Sequence, residues 1–180
     1  ACENLERALA VYTRNKLTTP YVPAAKRNLW WAYWQVGRVR DALRSLEEAA
    51  AEMREIYSSA NATFARTLHQ LGLIYGRLAQ TAKAAKLHEE ALEMFEQVFE
   101  PPHVETEQCR AALGLCRGLL DPNSDGLKLV QQGVEAQRQL FAEDSAEIIA
   151  AEQDLIEAYR RTRDFATAAK LSETLIQRLE

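Results

Sequence analysis

Apolar side chains recur along this chain at intervals of three and four residues. Leu68, Leu71 and Ile74 follow that spacing, which places them on one face of a helix. A second run from Leu87 to Val98 has the same spacing and follows the first along the chain. The pattern therefore predicts amphipathic helices joined in pairs by short turns.

The helical pairs repeat every 42 residues. One leucine occupies the same place in four successive copies, at positions 29, 71, 113 and 155. A tyrosine column at positions 33, 75 and 159 holds Arg117 in the third copy. A column of small residues contains Ala42, Ala84, Gly126 and Ala168. Register kept over four copies is typical of a repeat protein, in which each unit buries its apolar face against the next.

We predict an all-α protein, an α-solenoid of stacked antiparallel helix hairpins with about nine helices. A single array over residues 1–180 comprises a leading helix at 1–17 and repeats at about 23–60, 61–103, 104–144 and 145–180. In each repeat an A helix precedes a B helix. The predicted A helices are Pro23–Val36, Ala62–Leu78, Val104–Leu120 and Ser145–Arg161. The predicted B helices are Val39–Tyr57, Thr81–Phe99, Asp125–Phe141 and Asp164–Leu179. Because the chain opens within a helix, we expect a fragment of a longer protein.

Small residues are expected where two helices cross closely. Gly72 and Gly114 are expected to face Ala84 and Gly126 across their hairpins. The third copy is predicted to be the softest because it holds four glycines, each costing about 1 kcal/mol relative to alanine in a helix: Gly114, Gly118, Gly126 and Gly133.

Composition excludes several classes of function. A net charge of -4 with an isoelectric point near 5.5 gives no electrostatic basis for binding nucleic acid. No stretch approaches the roughly 20 apolar residues of a membrane span, so membrane insertion is not expected. Three cysteines form no disulfide framework, which favours a reducing compartment and a cytoplasmic location.

Candidate catalytic and metal-binding residues are few. Cys109 and Cys116 share a helix face, but no further ligand has suitable spacing, so buried core cysteines are expected. His88 replaces an interior residue of its B helix and is interpreted as a half-buried histidine. No nucleotide fingerprint or Ser/His/Asp set occurs. The sequence predicts no cofactor, no metal and no enzymatic activity.

The second copy carries a family resemblance. ARTLHQLGLIYGR, from Ala65 to Arg77, resembles the A helix of tetratricopeptide repeats of the kinesin-light-chain type. Ala82–Phe99 and the following Pro101–Val104 resemble the B helix and loop of that family, whose repeat is likewise longer than the usual 34 residues. The resemblance implies a right-handed superhelix whose concave face, lined by A helices, receives cargo or adaptor peptides. The asparagine pair of kinesin light chains is replaced here by His69 and Gln70, so the resemblance predicts the groove and not its ligand.

The predicted groove combines aromatic, amide and guanidinium side chains, which suit peptide recognition. Trp31 and Trp34 form an aromatic wall at one end of it, or alternatively cover the junction with the leading helix. The predicted partner-binding residues are Arg27, Trp31, Trp34, Arg66, His69, Gln70, Leu73, Arg77, Gln108, Gln153, Glu157 and Arg160.

The leading hypothesis is a scaffold or adaptor that binds a peptide or partner protein in this groove. One alternative is structural self-association, because the last helix shows Leu171, Leu175, Ile176 and Leu179 without a polar capping helix after it and is predicted to permit a homo-oligomer. Another alternative is a regulatory or docking domain of a larger enzyme or signalling protein.

Overall fold

A computed structural model describes residues 6, 7, 10, 11 and 21–179. Within the described ranges the regular structure is helical, and eight helices form four hairpins. The A helices are α1 (Tyr21–Gln35), α3 (Ala62–Arg77), α5 (Val104–Leu120) and α7 (Ala146–Arg161). The B helices are α2 (Val39–Ile56), α4 (Thr81–Val98), α6 (Gly126–Arg138) and α8 (Phe165–Leu179). Most of the predicted leading helix, Cys2–Leu17, lies outside the described residues.

The predicted α-solenoid is confirmed. Each helix packs against the next along the chain, and α3 also contacts α5, as α5 contacts α7. The A helices therefore form one layer and the B helices a second. The α6 helix ends at Arg138, before the predicted Phe141. It ends early because the N–H groups of Gln139 and Leu140 each donate to a carbonyl three residues back, which tightens the last turn.

Two A helices begin with a side-chain cap. The Oδ1 atom of Asn61 accepts hydrogen bonds from the backbone N–H groups of Thr63 at 2.9 Å and Phe64 at 3.1 Å. The Oγ atom of Ser145 accepts one from Ile148 at 3.2 Å. Each cap satisfies N–H groups that have no partner within the helix. Asn61 and Ser145 therefore mark where α3 and α7 begin.

The turn from A to B helix uses the same backbone conformation in three copies. Gly37, Ala79 and Arg163 follow one another at intervals of 42 and 84 residues and have positive φ angles of 75°, 58° and 63°. In the second copy Gln80 N–H donates to the Tyr75 carbonyl at 2.9 Å and Ala79 N–H to Gly76 at 3.1 Å. This pair of bonds is the Schellman motif, whose left-handed residue is usually glycine.

We expect Ala79→Gly to stabilise the protein by about 0.5–1 kcal/mol. Glycine adopts the left-handed conformation without the steric cost that alanine incurs, and this gain exceeds glycine's larger entropy loss on folding. Urea unfolding followed by circular dichroism measures the effect. Gly37→Ala, the reverse change at the equivalent turn, serves as the matched control and should destabilise; a loss of stability in Ala79→Gly would contradict the prediction.

The tyrosine column links each copy to the one before it. The hydroxyl of Tyr75 donates to Glu47 of α2, and Gln131 of α6 donates to the hydroxyl of Tyr159 at 2.9 Å. Arg117, the exception in this column, reaches Glu89 of α4 at 2.5 Å. A guanidinium thus replaces the phenol in the third copy and makes the same connection between copies.

Ion pairs add to these connections between successive copies. They join the first to the second copy, the second to the third twice, and the third to the fourth. The pairs are Arg54–Glu90, Arg66–Glu105, Arg110–Glu96 and Arg138–Glu152. Because most of these side chains are partly exposed, each pair contributes little alone.

Close helix crossings occur at the expected small residues, with one difference. A Cβ atom on Gly114 would lie 2.6 Å from the Gly126 carbonyl oxygen, so these two glycines do face each other. A Cβ atom on Gly72 would instead meet the imidazole of His88 at 2.6 Å, while a Cβ atom on Gly76 would lie 4.0 Å from the Cβ atom of Ala84. The expectation that Gly72 faces Ala84 is therefore wrong; its missing side chain makes room for a histidine ring.

Candidate functional site

Two adjoining cavities lie along the layer of A helices, and we call them together the A-helix groove. The first has a volume of about 250 Å³ and lies between α3, α5 and α7. The second, of about 230 Å³, lies farther along the same helices. Leu73, which is 43% exposed, lines both. The groove therefore runs across three copies of the repeat.

The two cavities differ in charge. The first is lined by His69, Gln108 and Gln137 and carries two carboxylates, Glu147 and Asp154. The second carries two guanidinium groups among apolar side chains. Its principal lining residues are Arg77, Leu115, Cys116, Leu119 and Arg161. An elongated ligand would meet acidic groups at one end, leucines in the middle and basic groups at the other.

Asp154 has the most perturbed carboxyl group in the groove. Burial raises the pKa of Asp154 to about 6, Arg161 opposes this shift, and Glu157 adds to it. Burial penalises the carboxylate because it removes water that would solvate the charge. Such a group is a natural partner for a cationic ligand group, which would restore the lost solvation.

We expect Asp154→Asn to stabilise the unliganded protein at pH 7 by about 1–2 kcal/mol. The folded-state pKa of Asp154 lies above the unfolded value, so the native protein binds the proton more tightly and loses stability as pH rises from about 4 to about 6. The variant lacks this loss. Urea unfolding from pH 3.5 to 7.5 measures the difference in free energy of unfolding, which should vanish near pH 3.5. Glu93→Gln, which changes an exposed residue of α4, is the matched control for replacing an acid by its amide.

The predicted aromatic residues lie at the α1 end of the A-helix layer. The guanidinium of Arg77 lies over the ring of Trp34, 4.9 Å from its centroid, which brings two predicted residues together. Trp31 is 55% exposed and packs edge-on against Trp30 at 5.4 Å. Trp30 and Trp34 also pack against the core formed by α1–α5. The indole beside the Arg77 cation is thus the half-buried one of Trp34, whereas the exposed indole is that of Trp31.

Arg66 is occupied by an ion pair. Its guanidinium donates two hydrogen bonds to Glu105 of the next A helix, one of them at 2.7 Å. Arg27 lies close by, where burial and the charge of Arg66 lower the pKa of Arg27. Gln70 is half-buried, and its Oε1 atom makes no hydrogen bond to the described residues. The Arg66 pair thus connects α3 to α5.

The fourth copy presents different side chains to the groove from those predicted. Asp154 and Arg161 line the two cavities, whereas Gln153 and Arg160 are exposed. Glu157 accepts a hydrogen bond from Arg161 at 3.0 Å and lies beside the groove. The 42-residue register could have found both missed residues, because Asp154 is in the column of Gln70 and Arg161 in that of Arg77.

One cluster could hold a metal ion. Donor atoms of His69, His88 and Cys109 all lie within 4.8 Å of one another, although the residues belong to three different helices. The expectation that Cys109 is a core residue is confirmed, since it is fully buried. His88, which was expected to be half-buried, is 1% exposed, because the space left by Gly72 encloses its ring. The three residues are separated by 19 and 21 positions along the chain, which matches no metal-binding sequence motif. Only the packing of the helices brings their side chains together.

Comparisons with known proteins agree with this architecture. Residues 63–124 match the tetratricopeptide repeat family. None of the curated proteins compared with the chain matches it. No described helix is both long enough and apolar enough to span a membrane.

Several solved structures have the same fold. A variant of the TPR-like repeats of a Podosopora anserina protein described as a kinesin light chain aligns with a TM-score of 0.82 at 20% identity, over 98% of this chain and 84% of that one. BtubC (BKLC) from P. vanneervenii aligns at 0.77 and 18% identity, over 97% and 72%. A Rap protein complexed with competence and sporulation factor aligns at 0.62 and 15% identity, over 98% and 57%. The predicted resemblance is confirmed.

Proposed function

We propose that this right-handed superhelix, whose repeats are tetratricopeptide repeats of the kinesin-light-chain type, is an adaptor that binds an extended segment of a partner protein in the A-helix groove. The observation that carries the proposal is the order of side chains along the groove. Acidic Glu147 and Asp154 lie at one end, Leu73 lies in the middle, and Arg77 and Arg161 lie at the other end.

This order favours a particular kind of segment. A basic side chain would pair with Asp154, an apolar one would cover Leu73, and an acidic one would reach Arg77. The opposing charges at the two ends also set the direction in which a segment lies, because the reversed orientation places like charges together. The Rap protein structure supports the proposal because it shows the same fold in complex with competence and sporulation factor.

Selection from a random peptide library tests the proposal. We expect selection with the protein to enrich peptides that contain a basic, an apolar and an acidic residue in that order. A synthetic peptide with an enriched sequence should bind saturably. Arg77→Ala and Asp154→Asn should each weaken binding about tenfold. Asp154→Asn is the sharper variant, because it is expected to bind less well while being more stable.

Controls for this experiment lie on the exposed face of α4. Lys86→Ala and Glu93→Gln each remove a charge away from the groove and should leave the affinity unchanged. Enrichment of peptides whose binding is insensitive to Arg77→Ala and Asp154→Asn would reject the groove as the site.

We place the protein in the cytoplasm, since Cys109 and Cys116 are free thiols.

A second candidate is self-association through α8. Phe165, Ile176 and Leu179 are each more than half exposed there, while Leu175 is buried beneath them. Apolar surface of this kind is typical of an interface. Analytical ultracentrifugation over a concentration series tests it: a dimer abolished by Ile176→Glu supports self-association, and a monomer at all concentrations rejects it.

A further inference from the structure

Three side chains with nitrogen and sulfur donors converge between α3, α4 and α5. The Nδ1 atoms of His69 and His88 are 3.1 Å apart, and their rings are 4.9 Å apart between centroids. The Sγ atom of Cys109 lies 3.3 Å from the backbone carbonyl oxygen of His88 and within 4.8 Å of one ring nitrogen of each histidine. His88 and Cys109 are fully enclosed, and His69 is partly open to the first cavity of the A-helix groove.

The packing around these side chains makes room for them. His88 points at Gly72, where a Cβ atom would lie 2.6 Å from the imidazole Cε1 atom. No residue other than glycine leaves this space for the ring at that crossing. Equivalent positions in the third copy hold Ala111 in place of His69 and Val130 in place of His88. The paired imidazoles are therefore a feature of one copy and not a requirement of the repeat.

We propose that His69, His88 and Cys109 bind a zinc ion. Two imidazole nitrogens and one thiolate are donors that zinc prefers, and three protein ligands leave one position of a tetrahedron open. Zinc with such ligands requires about 3.3 Å between the nitrogens and about 3.6 Å from nitrogen to sulfur. The Nδ1 atoms already have nearly that separation, and the sulfur has to approach a ring nitrogen by up to about 1.2 Å. The site does not depend on the groove binding a peptide.

Protonation states are compatible with this chemistry. Burial lowers the pKa of His69 to about 4. Burial, together with the neighbouring imidazole of His69, lowers the pKa of His88 to about 3. Both imidazoles are thus neutral at pH 7 and have a lone pair to donate. Burial raises the pKa of Cys109, so the thiol keeps its proton until metal binds. Binding then forms one zinc–sulfur bond and two zinc–nitrogen bonds and releases the thiol proton to solvent.

Cobalt substitution tests the site on the untagged full chain. We expect one Co²⁺ per chain, tetrahedral d–d bands in the visible spectrum and a thiolate-to-cobalt band in the near ultraviolet, all abolished by one equivalent of Zn²⁺. Zinc should also raise the melting temperature. His69→Ala, which installs the residue of the third copy, should weaken zinc binding at least tenfold.

The controls separate Cys109 from the other thiols and leave the three proposed ligands in place. A Cys2→Ser/Cys116→Ser double variant leaves Cys109 as the sole cysteine and should keep the cobalt spectrum. His103→Gln, which changes a histidine outside the cluster, should bind zinc as tightly as the wild type. The proposal fails if the wild type shows no thiolate-to-cobalt band at one equivalent of metal, or if the double variant loses it.

Discussion

Phe95→Ala is expected to destabilise the protein by about 4 kcal/mol, the largest effect of any single substitution considered. The Phe95 side chain is 1% exposed and lies within the apolar core that α1–α5 share. Its ring stacks on Phe99 at 5.8 Å, and Phe99 stacks in turn on His103 at 3.7 Å. Removing the ring deletes buried apolar area and leaves a cavity that the helix backbones prevent from collapsing.

Urea unfolding measures this change, and hydrogen exchange locates it. Because copies of a repeat contact only their neighbours, amide exchange should accelerate in α3–α5 and change little in α8. Phe165→Ala, measured at a concentration at which the chain is monomeric, is the matched control: the same atoms are removed from a side chain that is 63% exposed, so stability should change by less than about 0.5 kcal/mol. Equal losses in both variants would show that burial of Phe95 is not the source of the effect.

Gly126→Ala is expected to destabilise the protein by about 3 kcal/mol through overpacking. An added Cβ atom would lie 2.5 Å from the Gly114 carbonyl oxygen and 2.6 Å from the Gly118 nitrogen, both of which are backbone atoms. A flexible side chain could move aside, but these helices would have to separate. The melting temperature should fall by about 10 °C in differential scanning calorimetry.

Gly118→Ala provides the opposite case in the same hairpin. No atom lies within 4 Å of a Cβ atom added there. Alanine should therefore stabilise α5 by up to about 1 kcal/mol, the usual difference in helix propensity. Destabilisation by Gly118→Ala would contradict the crossing geometry, as would a neutral Gly126→Ala.

The glycines illustrate what sequence periodicity can and cannot predict. The 42-residue register placed Gly114 opposite Gly126 correctly, because closely crossing helices need small residues in fixed columns. The prediction that glycines lower the stability of the third copy treated all four of them alike. The structure separates Gly118, which has open space beside it, from Gly126, where the absent side chain permits tight packing.

The position of the candidate groove was predictable from the sequence, but not all of its lining residues were. Its helices and the column of Leu73 follow from the repeat, whereas Asp154 and Arg161 required strict use of the register in the fourth copy. The cluster of His69, His88 and Cys109 had no signal in the sequence, since the distance between side chains on different helices depends on how those helices pack. Arg117 shows the converse, an apparent exception that serves the same role as a tyrosine.

Placing ion pairs between copies makes the shape of the whole molecule responsive to dissolved salt. At 1 M ionic strength the Debye length falls to about 3 Å, so the attraction within exposed pairs such as Arg54–Glu90 weakens, while the burial of apolar surfaces does not. The hairpins would keep their internal structure as the junctions between them become more compliant. Small-angle X-ray scattering would then record a larger radius of gyration at high salt with an unchanged helical content.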